Sequence, residues 1–155
     1  MSKVQTLIDK LRMRQQTVGF AESCTGGLLS ATLSAFAGVS DVFLGSVVSY
    51  SYQSKVDLLG VSWNVLKVEG AVSDRVARQM ACGARNQLKS HWSVAITGIA
   101  GPTGGTPEKP VGTVWFAVSG PGFEATEKKL FSGGRTEVQK QSVEFAIDLL
   151  LKGLE

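Results

Sequence analysis

Short apolar runs rich in β-branched and aromatic residues alternate along this chain with segments whose apolar side chains recur at helical spacing. Residues 2–14 show the helical spacing, residues 17–21 form the first short apolar run, and residues 28–36 are again typical of a helix. Because each such helix has one apolar face to bury, a chain that alternates in this way packs helices against a sheet. The alternation therefore predicts a layered α/β domain.

The rest of the chain continues the same alternation. Further strands are predicted at residues 42–52, 94–99, 111–118 and 123–131, and further helices at residues 54–59, 73–88 and 134–151. A turn at Gly120-Pro121-Gly122 joins the last two strands, and an irregular stretch fills residues 101–110. No internal repeat or linker interrupts these elements, so we expect a single domain over residues 1–155.

Composition and charge exclude several classes of protein. Hydrophobic residues make up 43% of the chain and charged residues 19%, which is typical of a globular domain rather than a disordered one. The net charge of +3 is spread along the sequence without a dense basic run, so we expect no nucleic-acid partner. The same charge suits a small anionic substrate.

Neither a membrane segment nor a secretory leader is expected. No stretch approaches the roughly 20 apolar residues of a membrane span, and the first residues lack the continuous apolar region of a signal peptide. Cys24 and Cys82 have no metal-ligand spacing, and we expect both to be reduced thiols. These features predict a cytoplasmic protein.

The segment Ala21-Glu22-Ser23-Cys24-Thr25-Gly26-Gly27 lies between the first predicted strand and the next helix. A helix N-terminus offers unpaired N–H groups and partial positive charge, so a nucleophile there finds an oxyanion hole already built. Gly26 and Gly27 would let a substrate approach the backbone closely. The alternative is that Ser23 or Thr25 only caps the helix, and spacing alone favours the cap.

Cys24 is a rival nucleophile, because a thiolate is intrinsically more reactive than an alcohol. A thiol enzyme needs a base such as histidine, and the only histidine, His91, stands just ahead of a predicted strand. We expect His91 to be a surface or strand-edge residue. A single histidine without a marked environment is equally poor support for a Ser-His-Asp triad.

Lys55 follows the second predicted strand and is a candidate base for Ser23. A free lysine has a pKa of about 10.4, but burial or a neighbouring cation lowers the pKa enough for the amine to accept a proton. Two alternatives stay open from the sequence: a solvated lysine at a helix start, and a point charge that binds a phosphate. Tyr50 is either a hydrogen-bond donor in the site or a packed strand aromatic.

Glycines and hydroxyls are concentrated in residues 97–106, after the third predicted strand. Successive N–H groups in such a loop can face one anion, although neither a Walker loop nor a dinucleotide fingerprint is present. We predict a substrate-binding loop, with a flexible surface connection as the alternative. Its candidate residues are Gly101, Thr103, Gly104, Gly105 and Thr106. Arg135, at the start of the last helix, is either a solvated side chain or a ligand for phosphate or carboxylate.

Taken in order, these motifs resemble the CinA C-terminal domain family. The similarity extends over nearly the whole chain. It rests on the segment from Ala21 to Gly27, on Tyr50-Ser51 with Lys55, on Gly70-Ala71-Val72-Ser73, on Gly98-Ile99-Ala100-Gly101-Pro102 through Gly104-Gly105 to Lys109-Pro110-Val111-Gly112-Thr113-Val114, and on Gly134-Arg135. The resemblance implies a three-layer α/β/α sandwich around a mixed central sheet.

The resemblance also implies an activity, namely hydrolysis of nicotinamide mononucleotide to nicotinate mononucleotide and ammonia by a Ser–Lys mechanism without metal or cofactor. By position, Ser23 is the nucleophile, Lys55 the base and Tyr50 a helper. We place Thr25, Gly26 and Gly27 in the substrate site, and we expect Arg135 and the loop Gly101, Thr103, Gly104, Gly105 and Thr106 to hold the phosphate and ribose. A homodimer is implied as well.

Two departures from the family pattern leave other functions open. Gln139 stands where many relatives carry an arginine, which weakens the expected phosphate binding. Longer relatives carry an additional N-terminal domain, and we expect any activity of that domain to be missing here. Because some relatives consisting of this domain alone are inactive, the alternative is a catalytically silent nucleotide-binding module with a competence- or repair-related partner. A serine amidase with another amide substrate is a third hypothesis.

Overall fold

A mixed five-stranded sheet organises the protein, whose computed structural model describes residues 1–155. The strands are β1 (Val18–Glu22), β2 (Phe43–Val48), β3 (Trp92–Gly98), β4 (Thr113–Gly120) and β5 (Phe123–Leu130), in the spatial order β2-β1-β3-β4-β5. β1 pairs in parallel with β2 and β3, whereas β4 pairs antiparallel with β3 and β5. The predicted α/β class with a mixed sheet is confirmed.

Six helices cover the two faces of the sheet. They are α1 (Lys3–Arg14), α2 (Leu28–Ser34), α3 (Tyr52–Leu59), α4 (Trp63–Glu69), α5 (Asp74–Leu88) and α6 (Arg135–Gly153), and a single 3₁₀ turn spans Val39–Asp41. Helices α1, α2 and α6 pack on one face around large side chains such as Phe20, Ile96 and Phe116. Helices α3, α4 and α5 cover the other face, so the three-layer sandwich implied by the resemblance is confirmed.

The second face is lined by small side chains, and this difference decides how closely α5 approaches the sheet. Ala21, Ala95 and Ala117 lie side by side on the three central strands and are buried against α5. Gly83 of α5 meets the end of α3 so closely that a Cβ there would lie 2.0 Å from the carbonyl oxygen of Leu59. A side chain at position 83 would therefore push apart the helix pair that covers this face.

The region after β2 differs most from the sequence prediction. The strand ends at Val48 rather than at residue 52, and α3 begins at Tyr52. Ser51 and Ser54 form a reciprocal capping box, in which each hydroxyl accepts a hydrogen bond from the other residue's backbone N–H. This cap satisfies two N–H groups and outweighs the β propensity of the flanking tyrosines. Helix α4 and the 3₁₀ turn were not predicted, while the remaining boundaries agree within two residues.

The three parallel strands end at one edge of the sheet, and this edge gathers the candidate site residues. Ser23 directly follows β1, Tyr50 follows β2, and the Gly101 loop follows β3. Connections from the carboxyl ends of parallel strands meet at the same edge, which is where open α/β sheets bind ligands. No helix of the protein is long and apolar enough to cross a membrane.

Candidate active site

Ser23 and Lys55 are in direct contact. The Nζ atom of Lys55 donates a hydrogen bond to Ser23 Oγ at 2.9 Å and another to the carbonyl oxygen of Ser49 at 2.7 Å. Lys55 reaches this position from the first half of α3, and its side chain is 1% exposed. The open question of whether Lys55 is solvated or belongs to the site is thereby answered: it is buried against the candidate nucleophile.

Burial changes the acid–base properties of Lys55. Removal from water lowers the pKa of Lys55 from its ordinary value of 10.5 to about 8. No carboxylate forms an ion pair with this ammonium group, so little opposes the effect of burial. With such a pKa, about a tenth of the amine is neutral at pH 7 and able to accept a proton. Lys55 therefore has the property required of a general base at physiological pH.

The rival nucleophile Cys24 has the opposite character. Its side chain is buried, and burial raises the pKa of the Cys24 thiol to about 12. A thiol with this pKa stays protonated at neutral pH and is a poor nucleophile. His91 is exposed and bonded to Thr17, outside the wall of the Ser23 pocket, so it supplies no base to either residue. Both cysteines are free thiols, as predicted.

Glu22 organises the turn that carries Ser23, a role the sequence analysis missed. Its fully buried carboxylate accepts hydrogen bonds from the Thr25 hydroxyl at 2.8 Å, the Leu29 amide at 2.9 Å, the Ser30 amide at 3.1 Å and the Ser46 hydroxyl at 2.9 Å. A buried carboxylate is tolerated only when it is bonded in this way. An acid six residues ahead of a predicted helix start was the available signal.

The contacts of Glu22 correct one expectation about the oxyanion hole. The α2 amides of Leu29 and Ser30 are already bonded to Glu22, so this part of the helix end is not free for a substrate. The Thr25 hydroxyl is also bonded to Glu22, which removes it from the predicted set of substrate ligands. The helix end that was expected to receive a substrate anion receives a side-chain carboxylate instead.

Three N–H groups of the turn have no acceptor within the protein. The Ser23 amide donates to the Ile96 carbonyl and the Gly26 amide donates to the Ser23 carbonyl, whereas the amides of Cys24, Thr25 and Gly27 donate to no protein acceptor. The amide of the residue after a nucleophilic serine is a common oxyanion donor in hydrolases. Cys24 lies in the pocket wall, whereas Thr25 and Gly27 do not, so the Cys24 amide is the candidate oxyanion donor at this site.

Gly26 and Gly27 have a conformational role in this turn. Their φ angles are +59° and +109°, which residues other than glycine rarely adopt. Neither residue lies in the wall of the pocket. The backbone conformation of the turn, and not the predicted close approach of a substrate, therefore accounts for glycine at these two positions.

A pocket of about 250 Å³ opens over Ser23. Its wall includes most of the predicted site residues, namely Ser23, Tyr50, Lys55, Gly101, Thr103, Gly104 and Arg135. No aspartate or glutamate lies in this wall, so its charged side chains are both cations. The pocket therefore favours an anionic ligand.

Arg135 joins three segments of the pocket wall. Its guanidinium donates to the carbonyl oxygen of Gly101 at 2.8 Å and to the hydroxyl of Tyr50 at 2.6 Å. Tyr50 is 58% exposed at the rim, so it is not a packed strand aromatic. Because Arg135 has no carboxylate partner, its charge is available to a ligand.

Gly105 and Thr106, predicted to bind substrate, lie outside the pocket wall. Thr106 closes a turn with Lys109, since the Thr106 amide donates to the Lys109 carbonyl and the Lys109 amide donates to the Thr106 hydroxyl. Gly105 packs against the backbone of Val111, where a Cβ would lie 2.7 Å from the Val111 nitrogen. These two residues shape the return of the loop, and Gly101, Thr103 and Gly104 face the pocket.

Sequence comparison places this arrangement among known proteins. Residues 1–154 match the family model described as the CinA C-terminal domain. A CinA-like protein of Prochlorococcus marinus (strain MIT 9515) is 48% identical over 147 residues, which are 93% of this chain and 34% of that protein. A CinA-like protein of Fervidobacterium nodosum is 47% identical over 138 residues, which are 89% of this chain and 34% of that protein. The chain thus spans about a third of the length of these curated relatives.

Solved structures share both fold and sequence. The competence/damage inducible protein CihA from Agrobacterium tumefaciens matches with a TM-score of 0.91 and 36% identity, over 98% of this chain and 96% of that one. A CinA superfamily protein from Escherichia coli matches with a TM-score of 0.93 and 37% identity, over 97% and 87% of the two chains. A competence or damage-inducible protein from Enterobacter asburiae matches with a TM-score of 0.95 and 35% identity, over 99% of this chain and 96% of that one.

Proposed function

The chain belongs to the CinA C-terminal domain family, and on that premise we propose that it is a nicotinamide-nucleotide amidase. The observation that carries the proposal is the 2.9 Å contact between Ser23 Oγ and the buried Lys55 Nζ at the floor of a cationic pocket. The family resemblance suggests the substrate, nicotinamide mononucleotide, whose exocyclic carboxamide would be hydrolysed. The products would be nicotinate mononucleotide and ammonia.

Acylation begins with Lys55 in its neutral form. Ser23 Oγ attacks the carboxamide carbon while its proton passes to Lys55 Nζ, which forms a tetrahedral intermediate with a negatively charged oxygen. The amide of Cys24, in the pocket wall, is the turn donor available to this oxygen. Lys55 then gives the proton to the amide nitrogen as the carbon–nitrogen bond breaks. Ammonia leaves, and an ester to Ser23 remains.

Deacylation repeats the same proton transfers with water as the nucleophile. Water attacks the ester carbon as Lys55 takes one of its protons, and the carbon–oxygen bond to Ser23 breaks as Lys55 returns a proton to Oγ. The carboxylic acid formed ionises at neutral pH. One water is consumed for each ammonia released, and Lys55 ends neutral, ready for a second turnover.

The charge of the pocket supports a substrate with a phosphate group. Arg135 has five guanidinium N–H donors, of which two are bonded to Gly101 and Tyr50. It stands in the first turn of the long helix α6, whose partial positive charge also favours an anion. The remaining donors of Arg135 are thus suited to the phosphate.

The test is to incubate the purified protein with nicotinamide mononucleotide and EDTA, and to measure ammonia and nicotinate mononucleotide in the same sample. We expect equal amounts of both products, and none from Ser23→Ala or Lys55→Met. Ser34→Ala and Lys67→Met, at exposed positions, are the matched controls and should retain full activity. Turnover in Ser23→Ala would contradict the mechanism.

Binding of the nucleotide without turnover, measured by calorimetry, would instead support the silent nucleotide-binding module. The homodimer and the cytoplasmic location stay predictions.

A further inference from the structure

Gln139 connects α6 to the turn that carries the nucleophile. Its side-chain Nε2 donates a hydrogen bond of 2.9 Å to the carbonyl oxygen of Cys24, and the residue is half-buried. Arg135 precedes Gln139 by one helical turn, so both side chains extend from the same face of α6. That face therefore contacts the pocket through Arg135 and the nucleophile turn through Gln139.

The bond to Cys24 fixes the orientation of one peptide group. In a trans peptide the C=O and N–H bonds point in opposite directions. Since the Cys24 carbonyl points to Gln139, the Thr25 amide of the same peptide points away from α6 and lies outside the pocket wall, whereas the Cys24 amide lies at that wall and donates to no protein acceptor. On the far side of this peptide, the Thr25 hydroxyl is bonded to the buried carboxylate of Glu22. The peptide is thus held at both ends.

We propose that Gln139 is a positioning residue for acyl transfer at Ser23: by anchoring the carbonyl of Cys24 it holds the Cys24 amide, at the pocket wall, toward the developing oxyanion. The inference rests on the proposed amidase function. Because charge on the oxygen develops only on the way to the tetrahedral intermediate, the effect falls on kcat and leaves KM nearly unchanged.

The variant Gln139→Leu removes the donor at nearly constant volume. Loss of a complete oxyanion donor lowers kcat by about 100- to 1000-fold, so a misoriented donor should lower it by about 10- to 100-fold. Gln141→Leu is the matched control, because Gln141 also bonds to backbone carbonyls, those of Ser132 and Glu137, away from the pocket. Gln139→Lys restores an N–H donor of similar reach and should recover most of the lost activity.

A purely structural role would be revealed by pH dependence. Gln139 does not contact Lys55, so the midpoint of the pH profile should be the same in Gln139→Leu as in the wild type. If the substitution instead loosened the whole turn, the contact between Ser23 and Lys55 would change and the midpoint would move. A shifted midpoint together with lost kcat would overturn the positioning role.

A second measurement separates this inference from the choice of substrate. A fluorophosphonate probe reacts with an activated serine: the Ser23 Oγ–phosphorus bond forms, the phosphorus–fluorine bond breaks, and the serine proton passes to Lys55. The phosphoryl oxygen uses the same donors as the oxyanion. We expect labelling of Ser23 to be at least about tenfold slower in Gln139→Leu than in Gln141→Leu. Equal labelling rates would overturn the role of Gln139.

The two proposals fail in distinguishable ways. If the wild type is labelled at Ser23 but releases no ammonia from nicotinamide mononucleotide, the substrate assignment fails, and the labelling rates still decide the role of Gln139. If the wild type neither turns over nor reacts with the probe, the nucleophile itself is absent and both proposals fall. Slow labelling in Gln139→Leu with recovery in Gln139→Lys supports the inference.

Discussion

The buried amine of Lys55 should make the stability of the protein rise with pH above about pH 8, and the size of this effect follows from one shifted pKa. Lys55 titrates at about 8 in the folded protein, whereas its ordinary value is 10.5. Below both pKa values Lys55 is protonated in the folded and the unfolded state alike, so the free energy of unfolding does not change with pH through this group. Between these two pKa values the Lys55 amine is neutral in the folded state but protonated in the unfolded state, so unfolding becomes less favourable as pH rises.

The magnitude follows directly from the two pKa values. One pKa unit corresponds to about 1.4 kcal/mol. The difference between 10.5 and about 8 therefore amounts to about 3 kcal/mol. Because Lys55 lines a pocket that opens to solvent, screening makes this figure the upper limit of the effect. The same free energy is what the folded protein loses at neutral pH by keeping Lys55 charged in a buried site.

The assay is urea denaturation of wild type and Lys55→Met at several values between about pH 7 and about pH 10.5. The free energy of unfolding of the wild type should gain up to about 3 kcal/mol relative to Lys55→Met across this interval. All other titrating groups are shared, so their effects cancel in the difference. Lys67→Met, which removes an exposed lysine, should follow the wild type. A difference between wild type and Lys55→Met that stays flat with pH would refute the lowered pKa.

Three further substitutions test separate parts of the site. Glu22→Gln should lower the free energy of unfolding by about 2 kcal/mol in urea denaturation, because a buried donor left unpaired costs about 1–3 kcal/mol. The glutamine amide group cannot accept from both α2 amides and both hydroxyls that now bond to the Glu22 carboxylate. Unchanged stability would contradict this role. Cys24→Ala should keep kcat within about threefold, since the thiol is protonated at neutral pH, and loss of all turnover would restore Cys24 as a nucleophile. Arg135→Gln should raise KM for nicotinamide mononucleotide by about 10- to 100-fold with a smaller change in kcat, as expected when a hydrogen bond to a charged group is lost. An unchanged KM would remove Arg135 from the substrate site. Exposed controls of the same residue types are Glu144→Gln, Cys82→Ala and Arg78→Gln.

Local sequence signals predicted the scaffold of the site. Apolar periodicity indicated each strand whose end contributes to the pocket, and glycines marked the turn after β1 and the loop after β3. These signals act over a few residues, where backbone conformation and burial of one face dominate. Around Tyr50 the same reasoning went wrong, because the cap formed by Ser51 and Ser54 competes with β propensity over the same residues. Local rules conflict there, and the side-chain hydrogen bonds decide.

Contacts between distant residues were beyond the sequence pattern. Ser23 and Lys55 are 32 positions apart, and Cys24 and Gln139 are 115 positions apart, so no spacing rule brings either pair together. Their contact depends on the parallel pairing of β1 with β2 and on the packing of α6 against the sheet. The pKa of Lys55 is likewise a property of the folded environment, since burial supplies the shift. The family resemblance assigned Ser23 and Lys55 to one mechanism where spacing left alternatives open.

The measurement that tests the central claim most directly is the pH dependence of ammonia release from nicotinamide mononucleotide in the presence of EDTA. A buried Lys55 that must be neutral to accept the Ser23 proton predicts that kcat/KM rises with pH, reaches half of its maximum near the Lys55 pKa of about 8, and then stays level. Lys55→Met should show no turnover at any of these pH values. Ammonia release by Lys55→Met with the wild-type profile, or no release by the folded wild type at any pH, would contradict the account.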